Sequence, residues 1–395
     1  MPKIKPYLYI SISCLLALCL SQISCTSKTA KNINDKNKSN IVTQSALLGD
    51  NVATWQLNHL SNFDYIRTFR EDTANEKDWI QAAFWIGANR WAEKRGDKNV
   101  TKRIFEHATR NAYSYGHRTF HADEHAIGQS YLWAHKNSGN VEILKPTIQL
   151  FDSILAVKPD NDLTFIASAD PGFEGTCQAR WCWADALFMA PRTWLLLSNA
   201  TGDKKYFDYA NEEFWDTSDY LFDKKLGLFY RDSRYFNSKS KNGNPVFWSR
   251  GNGWVFAGLA LIIDDLDQNQ PARPKYIELY TSMARSLIKL QRKDGYWPAS
   301  LMDPSVVTTP ETSGTAFITF GLAWGVNEGI LESNEVIESV ELGWSAIHDA
   351  VTTDGMVEWV QQVGKAPDPV EKTDTQLYGV GAVLLAASEM LRWKY

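Results

Sequence analysis

Apolar stripes with helical period recur down this chain of 395 residues, and strand-period alternation hardly appears. Trp79, Ile80, Ala83, Trp85 and Ile86 open one stripe, and Trp254, Leu259, Leu261 and Ile262 mark another. Capping and turn signals divide the pattern into about twelve candidate helices, starting near residues 45, 75, 99, 123, 140, 181, 203, 250, 272, 313, 334 and 374. Connections as short as Gly139-Asn140, Thr201-Gly202-Asp203 and Glu332-Ser333-Asn334 make sequential helices antiparallel neighbours. Six such hairpins close into a double ring, so the expected fold is all-α, an (α/α)6 barrel. An open α-solenoid is the rival, but the hairpins share no fixed-period repeat. Longer polar segments at 159–180, 224–249 and 294–312 are expected as loops gathered at one mouth of the ring.

With 44% hydrophobic and 22% charged residues, the chain can bury one large core, and no composition break divides residues 45–395. A net charge of -5 leaves no basic footprint for nucleic acid or an anionic membrane. Any anionic ligand must then be met by local Arg or Lys. Lys3 and Lys5 precede an apolar run from Tyr7 to Leu20 and small or polar residues to Cys25, the layout of a secretory signal peptide. That run is too short to prefer a membrane span. Ser24-Cys25 resembles the end of a bacterial lipoprotein signal, with Gln22 where an aliphatic residue is usual, and lipidation at Cys25 is expected over plain cleavage. Residues 26–44 are polar with almost nothing apolar and read as a flexible tether. The expected location is the periplasm or outer membrane, with membrane attachment only through a lipid at Cys25. Removing the signal leaves Cys177 and Cys182, either as a local disulfide or as two buried thiols.

The 16 Trp, 16 Tyr and 18 Phe exceed what a helical core needs; flat sugar faces stack on such rings, so the excess points to a carbohydrate cleft, although most single rings belong to the core. His121, Glu124 and His125 match the H-x-x-E-H pattern of inverted zinc peptidases. No convincing third ligand follows downstream, so no metal and no cofactor are expected. Asp123 stands at the start of a helix leading into Ile127, Tyr131 and Leu132, either as an N-cap worth about 1 kcal/mol or as a site acid. Asp185 is harder to assign to structure alone. Trp181 to Met189 surround it with aromatic and aliphatic side chains, where an isolated carboxylate is costly and its pKa rises toward that of a working proton donor. In Trp248-Ser-Arg250-Gly-Asn252-Gly-Trp254, glycines allow close backbone approach and Arg250 offers a fork suited to a carboxylate; a helix start with Arg250 lying over tryptophan is the structural alternative. A buried acid, a second acid, an Arg and stacked Trp describe a pocket for an acidic sugar.

At these residues the chain resembles glycoside hydrolase family 105, the unsaturated rhamnogalacturonyl hydrolases, and its relative family 88, the unsaturated glucuronyl hydrolases. The similarity runs from about residue 75 to the C-terminus. Its carriers are His121-Ala-Asp-Glu-His-Ala-Ile-Gly-Gln-Ser-Tyr-Leu, Trp183-Ala-Asp-Ala-Leu-Phe-Met-Ala-Pro, the Trp248 to Trp254 motif, Glu311-Thr-Ser-Gly-Thr-Ala and Gly379-Val-Gly-Ala-Val-Leu-Leu-Ala-Ala-Ser-Glu. The resemblance implies an (α/α)6 barrel that releases a 4,5-unsaturated uronic acid from the non-reducing end of polysaccharide-lyase products. It implies Asp185 as general acid/base and Asp123 as the second pocket acid, with Trp183, Trp248, Arg250, Trp254 and His125 on the substrate. In such an enzyme the acid protonates C4 of the enol ether, water adds at C5, and the hemiketal opens and expels the neighbouring sugar, without two-carboxylate displacement.

One departure stands out. Many relatives carry a His after a Gly-Leu-x-Tyr run, whereas this chain reads Gly227-Leu-Phe-Tyr-Arg231-Asp-Ser-Arg234. Either the fixed cation at Arg231 meets an added anion such as sulfate on the adjoining sugar, or it pairs with Asp232 or another acid. The first alternative fits the branch acting on sulfated rhamnose-uronate polysaccharides such as ulvan and disfavours a pectin-type substrate. Two other functional readings compete: a non-catalytic glycan-binding lipoprotein, which needs the aromatics and Arg250 but no buried acid, and a sugar epimerase on the same toroid.

Overall fold

The computed structural model describes Pro2, residues 40–166 and residues 175–395. The expected signal peptide beyond Pro2, the lipidation site Cys25 and residues 26–39 of the tether lie outside the described residues. Residues 40–44, read as the end of the tether, are already helical: α1 covers residues 40–58 and packs Ile41, Leu48 and Val52 against the core. Those three positions are spaced by seven and four residues, which puts them on one helix face.

Eleven more long helices follow among the described residues: α2 (Trp79–Arg95), α3 (Lys98–Arg110), α4 (Gly128–Ser138), α5 (Leu144–Val157), α6 (Pro191–Thr201), α7 (Lys204–Leu221), α8 (Ser249–Asp265), α9 (Arg273–Ile288), α10 (Thr312–Asn327), α11 (Asn334–Asp349) and α12 (Leu377–Met390). The hairpin turns have a common local cause. Gly96, Gly139 and Gly202 end their helices in the left-handed region, and Asp97, Asn140 and Asp203 directly after them accept backbone N–H groups of the next helical turn.

Even-numbered helices form the inner ring. α10 and α12 are buried over their whole length, and α2 from Ile80 to Ala92, so these sequences are mostly apolar or small, and buried charges such as Arg90 and Glu389 are paired with each other. The outer helix α3 buries a single stripe, Val100, Ile104, His107 and Ala108, and leaves Lys102 and Glu106 in solvent. α2 packs on α4, α4 on α6, α6 on α8, α8 on α10 and α10 on α12, which returns to α2. The ring therefore closes, as an (α/α)6 barrel requires and an open solenoid does not. At the closing seam α2 and α12 meet backbone to backbone. A Cβ on Gly381 would stand 2.1 Å from the Ala83 carbonyl oxygen, and one on Gly87 2.2 Å from that of Gly381, so only glycine fits either place.

Two expected helix starts resolve into a broken entry. Near 123 a four-residue helix, Ala122–His125, precedes α4; near 181 a 3-10 turn, Cys177–Arg180, and a second short helix, Ala186–Met189, precede α6. Pro191 occupies the first turn of α6, where its missing N–H costs nothing. Between α7 and α8 a two-stranded hairpin pairs Phe222 with Phe229 and turns at Gly227, φ 67°. The polar segment 294–312 packs behind residues 247–249 through Ser249 N to Ala299 O and Leu301 N to Phe247 O, both 2.9 Å, instead of lining the mouth as expected.

Candidate active site

Each inner helix follows a returning outer one, so inner N-termini gather at one mouth. They enclose a cleft of about 560 Å³. Asp78 and Trp79 enter it from the start of α2, Asp123 from the short helix before α4, Asp185 from the short helix before α6, and Trp248 and Arg250 from the start of α8. Helix N-termini present unpaired N–H groups and the positive ends of their dipoles, an arrangement that favours an anionic ligand.

The segment carrying Asp185 is fastened from several sides. Cys177 and Cys182 form a disulfide, the first of the two alternatives read from the sequence. Thr217 Oγ1 on α7 donates to the carbonyls of Arg180 and Trp181 at 3.2 and 3.1 Å, and Arg180 Nε donates to Glu213 at 2.7 and 2.8 Å. Ala184 N donates to Arg231 O at 2.8 Å. Burial raises the Asp185 carboxyl above the usual range, against the opposing pull of Arg231 and Arg250. Its Oδ2 lies 3.4 Å from Arg231 Nε, and neither atom has a hydrogen-bond partner among the described residues.

Arg231 is fixed by its other end. Its Nη1 donates to Asp232 Oδ2 at 2.7 Å, and the wholly buried Asp232 also accepts from Arg234 Nε and Nη2 at 2.8 and 2.7 Å. Burial pushes the Asp232 carboxyl up, but the bonds from Arg234 and Arg231 outweigh it and hold the group below the usual range. The Arg234 guanidinium lies over the Phe165 ring at 3.8 Å and that of Arg231 at 5.6 Å. Behind them Asn252 clamps the hairpin: its Oδ1 accepts from Phe229 N at 2.8 Å, while Nδ2 donates to Phe229 O and Trp248 O at 3.0 Å. Of the two alternatives for Arg231, the geometry is that of pairing with Asp232 and Asp185.

Asp123 is not the N-cap of its helix. That place belongs to His121, whose Nδ1 accepts from Asp123 N at 3.3 Å. The Asp123 carboxyl is 3.5 Å from the same nitrogen, and burial lifts it to about 7, with Arg118 opposing and the charge of Asp185 adding to the rise. Burial also lifts Asp78 to about 8, although its side chain accepts from Ile80 N at 3.1 Å and Arg118 stands 3.8 Å away. Burial and the nearby Arg118 push the His121 ring well below its ordinary value, so it is neutral, packed 4.7 Å from Trp183.

Two residues expected on the substrate are not brought to the cleft. His125 faces the core: Nε2 is 3.0 Å from Thr119 O, Nδ1 accepts from Trp194 Nε1 at 3.3 Å, and burial pushes the ring down to about 4. Trp254 packs 4.2 Å from Phe317 and 4.6 Å from Phe188 and is 1% exposed. Both are rings that build the wall from behind. Arg250 lines the cleft, but its fork already donates to the carbonyls of Gln361 and Gln362 at 2.8 and 2.9 Å beneath Trp248 and Tyr378. The H-x-x-E-H residues diverge, with His121 toward Asp123, Glu124 on Arg118 and His125 on Thr119.

Sequence reasoning missed Asp78, Arg118, Phe165, Gln178 and Lys365, all in the cleft wall. Asp78 carried a usable signal, since it stands directly before the first tryptophan stripe as a capping acid. The others sit in irregular segments, where no period reports direction.

The chain matches the model of Glycosyl Hydrolase Family 88 over residues 49–394. It is 53% identical over 352 residues to a curated unsaturated 3S-rhamnoglycuronyl hydrolase of Alteromonas sp. (strain LOR), covering 88% of this chain and 85% of that one. A second protein of that name, from Formosa agariphila, is 37% identical over 324 residues, covering 80% and 84%. Among solved structures, a glycosyl hydrolase family 88 protein from Bacteroides vulgatus superposes with a TM-score of 0.76 at 25% identity, covering 89% of this chain and 99% of its own. The ring, the acids at its mouth and these similarities agree: the chain is a glycoside hydrolase and belongs to glycosyl hydrolase family 88.

Proposed function

We propose that this hydrolase removes a 4,5-unsaturated uronic acid from the non-reducing end of lyase-generated oligosaccharides, and that sulfated, rhamnose-linked fragments of the ulvan type are its substrates in preference to pectin-type ones. The observation that carries the reading is Asp185, a buried acid with a raised pKa that lines the cleft opposite Arg231. Five cations line the cleft, Arg70, Arg118, Arg231, Arg250 and Lys365, against five acids, Asp72, Asp78, Asp123, Glu124 and Asp185. Asp78 and Asp123 are lifted to about 8 and about 7, so near neutral pH the lining cations outnumber the lining carboxylates. That excess suits a uronate carboxylate together with a sulfate. The relatives named 3S-rhamnoglycuronyl hydrolase support the same substrate class.

In this mechanism Asp185 delivers its proton to C4 of the enol ether. The carboxylate left behind takes a proton from water as that water bonds to C5. The hemiketal then opens, breaking the bond to the neighbouring sugar and leaving a keto uronic acid and a shortened oligosaccharide. Trp183 and Trp248 wall the ring site, and Asp123, part protonated at neutral pH, can donate or accept a hydrogen bond there. The test is incubation with ulvan-lyase disaccharide, followed by ultraviolet loss of the conjugated double bond. Asp185→Asn should lower the rate about 100- to 10,000-fold. Binding or epimerisation with the absorbance intact would refute hydrolysis, and equal kcat/KM on desulfated and sulfated disaccharide would remove the sulfated branch. Export through the residue 1–25 signal and lipidation at Cys25 complete the proposal; the Cys177–Cys182 disulfide suits an oxidising compartment. Cys25→Ala should release the protein from membranes, and unchanged fractionation would refute the anchor.

A further inference from the structure

We infer that Arg231 is the positioning residue of the general acid, a cation held so that its Nε meets the Asp185 carboxylate when the proton leaves. The inference rests on Asp185 being that acid. Two buried atoms with no hydrogen-bond partner among the described residues face each other at 3.4 Å, a donor on one side and an acceptor on the other. In a finished structural ion pair both would be satisfied. Here the guanidinium is tied at Nη1 and its backbone is fastened on both sides. Nη1 is tied to Asp232, which two bonds from Arg234 hold in turn; the Arg231 carbonyl accepts from Ala184, next to Asp185; and Asn252 clamps Phe229 two residues earlier.

The value of the arrangement lies in the difference between two states. A neutral Asp185 carboxyl gains little from a nearby cation. Once its proton has moved to C4, the carboxylate gains a full charge-assisted hydrogen bond from an Nε–H already in place. An interaction stronger late than early lowers the barrier instead of merely tightening binding. Arg231 keeps its own protons throughout, because guanidinium does not titrate in the working range. The charged groups facing Asp185 are Arg231 and Asp232 from the segment after the hairpin, Arg250 from the start of α8, and Asp123 from the short helix before α4. Arg250 is already committed to two backbone carbonyls, which leaves Arg231 as the cation aimed at the acid.

The test is the pH profile of kcat and kcat/KM on lyase-generated disaccharide for Arg231→Gln, Arg231→Lys and Arg231→His. A general acid works protonated, so activity falls as pH rises through its pKa. Removing the neighbouring cation raises that pKa, and the alkaline limb should move up by about one pH unit or more. The kcat of Arg231→Gln should fall about 10- to 100-fold. Arg231→Lys keeps the charge and should hold the limb near its wild-type position. Arg231→His, neutral across the alkaline range, should behave as Gln does and keeps the question answerable if Arg231→Gln does not fold. A rise in KM with kcat and the limb unmoved would overturn the inference and make Arg231 a substrate-binding residue. Asp185→Asn separates the two levels: if it stays active, the assignment of the acid has failed, whereas a dead Asp185→Asn with an unmoved Arg231→Gln limb refutes only the role of Arg231.

Discussion

Replacing Asn252 with Ala tests the link between the hairpin and the mouth at a residue that touches neither acid. Asn252 and Phe229 are each 1% exposed, so what the side chain satisfies has no ready substitute in solvent. Three bonds are lost: Phe229 N to Oδ1, and Nδ2 to the carbonyls of Phe229 and Trp248. The Trp248 carbonyl keeps a partner in the backbone N of residue 252 at 3.0 Å, so its loss is minor. The Phe229 N–H and C=O are both stranded, at about 1–3 kcal/mol each, or about 4 kcal/mol together. With an unfolding entropy of about 2.1 cal/mol/K per residue over roughly 350 residues, that lowers Tm by about 5 °C. Calorimetry measures the drop, and kinetics well below the transition measure kcat/KM on the folded variant. The rate should fall as well, because the freed strand leads two residues on into Arg231. A Tm within about 1 °C of wild type, or a drop of about 5 °C with full activity, would show that Asn252 does not position the segment that holds Arg231.

Other outcomes follow from the site. Asp123 has a folded value of about 7 against an ordinary 3.8, so the folded state holds this proton more tightly than the unfolded one, and its contribution to stability declines as pH rises from about 4 to about 7. Asp123→Asn should therefore raise Tm more at pH 8 than at pH 4, and an equal change at both would contradict the raised value. Opening the Cys177–Cys182 bridge with a double Ser replacement should cost about 2 kcal/mol for so short a loop, read as a lower denaturation midpoint; no change would show that Thr217 and Glu213 suffice to hold the segment. Activity should survive exhaustive EDTA, since His121, Glu124 and His125 are turned to three separate partners; loss restored by added zinc would reverse that reading.

The ring was legible because its causes are local. A Gly followed by Asp or Asn at a helix end is enough to return the chain, and helices apolar on every side must lie inside helices apolar on one. Asp185 was legible for a related reason: its sequence neighbours are its spatial neighbours, so an apolar window already implies an apolar site. The partner of Arg231 was not, because a guanidinium has several acids within reach and the choice depends on where a two-residue strand pairs and what Asn252 holds. His125 and Trp254 mislead for a further reason. A motif that recurs with a site also contains the residues that build its wall, and a pattern of identities does not separate the face that meets substrate from the face that meets Phe151 or Phe317.

The two ends of the barrel carry comparable charged groups in opposite states. At the far end Arg90 of α2 reaches Glu389 of α12 at 2.6 Å and also binds Asp264 of α8. Every carboxylate oxygen there is answered: Glu389 Oε1 by Arg90 and Oε2 by Asn327 and Arg392, Asp264 Oδ2 by Arg90 and Oδ1 by Trp324. Breaking such a set leaves a buried charge alone, which costs about 3–5 kcal/mol, so these groups close the ring and are not free to exchange protons with a ligand. At the mouth Asp78, Asp123 and Asp185 are all pushed upward by burial, and among the described residues Asp185 Oδ2 has no hydrogen bond and stands beside a donor that also has none. Both ends bury charge, and among the described residues it is at the mouth that a carboxylate oxygen goes without a hydrogen bond. A carboxyl whose proton is held by burial, beside a cation that cannot follow it, has the arrangement that the proposed transfer to C4 of an enol ether needs.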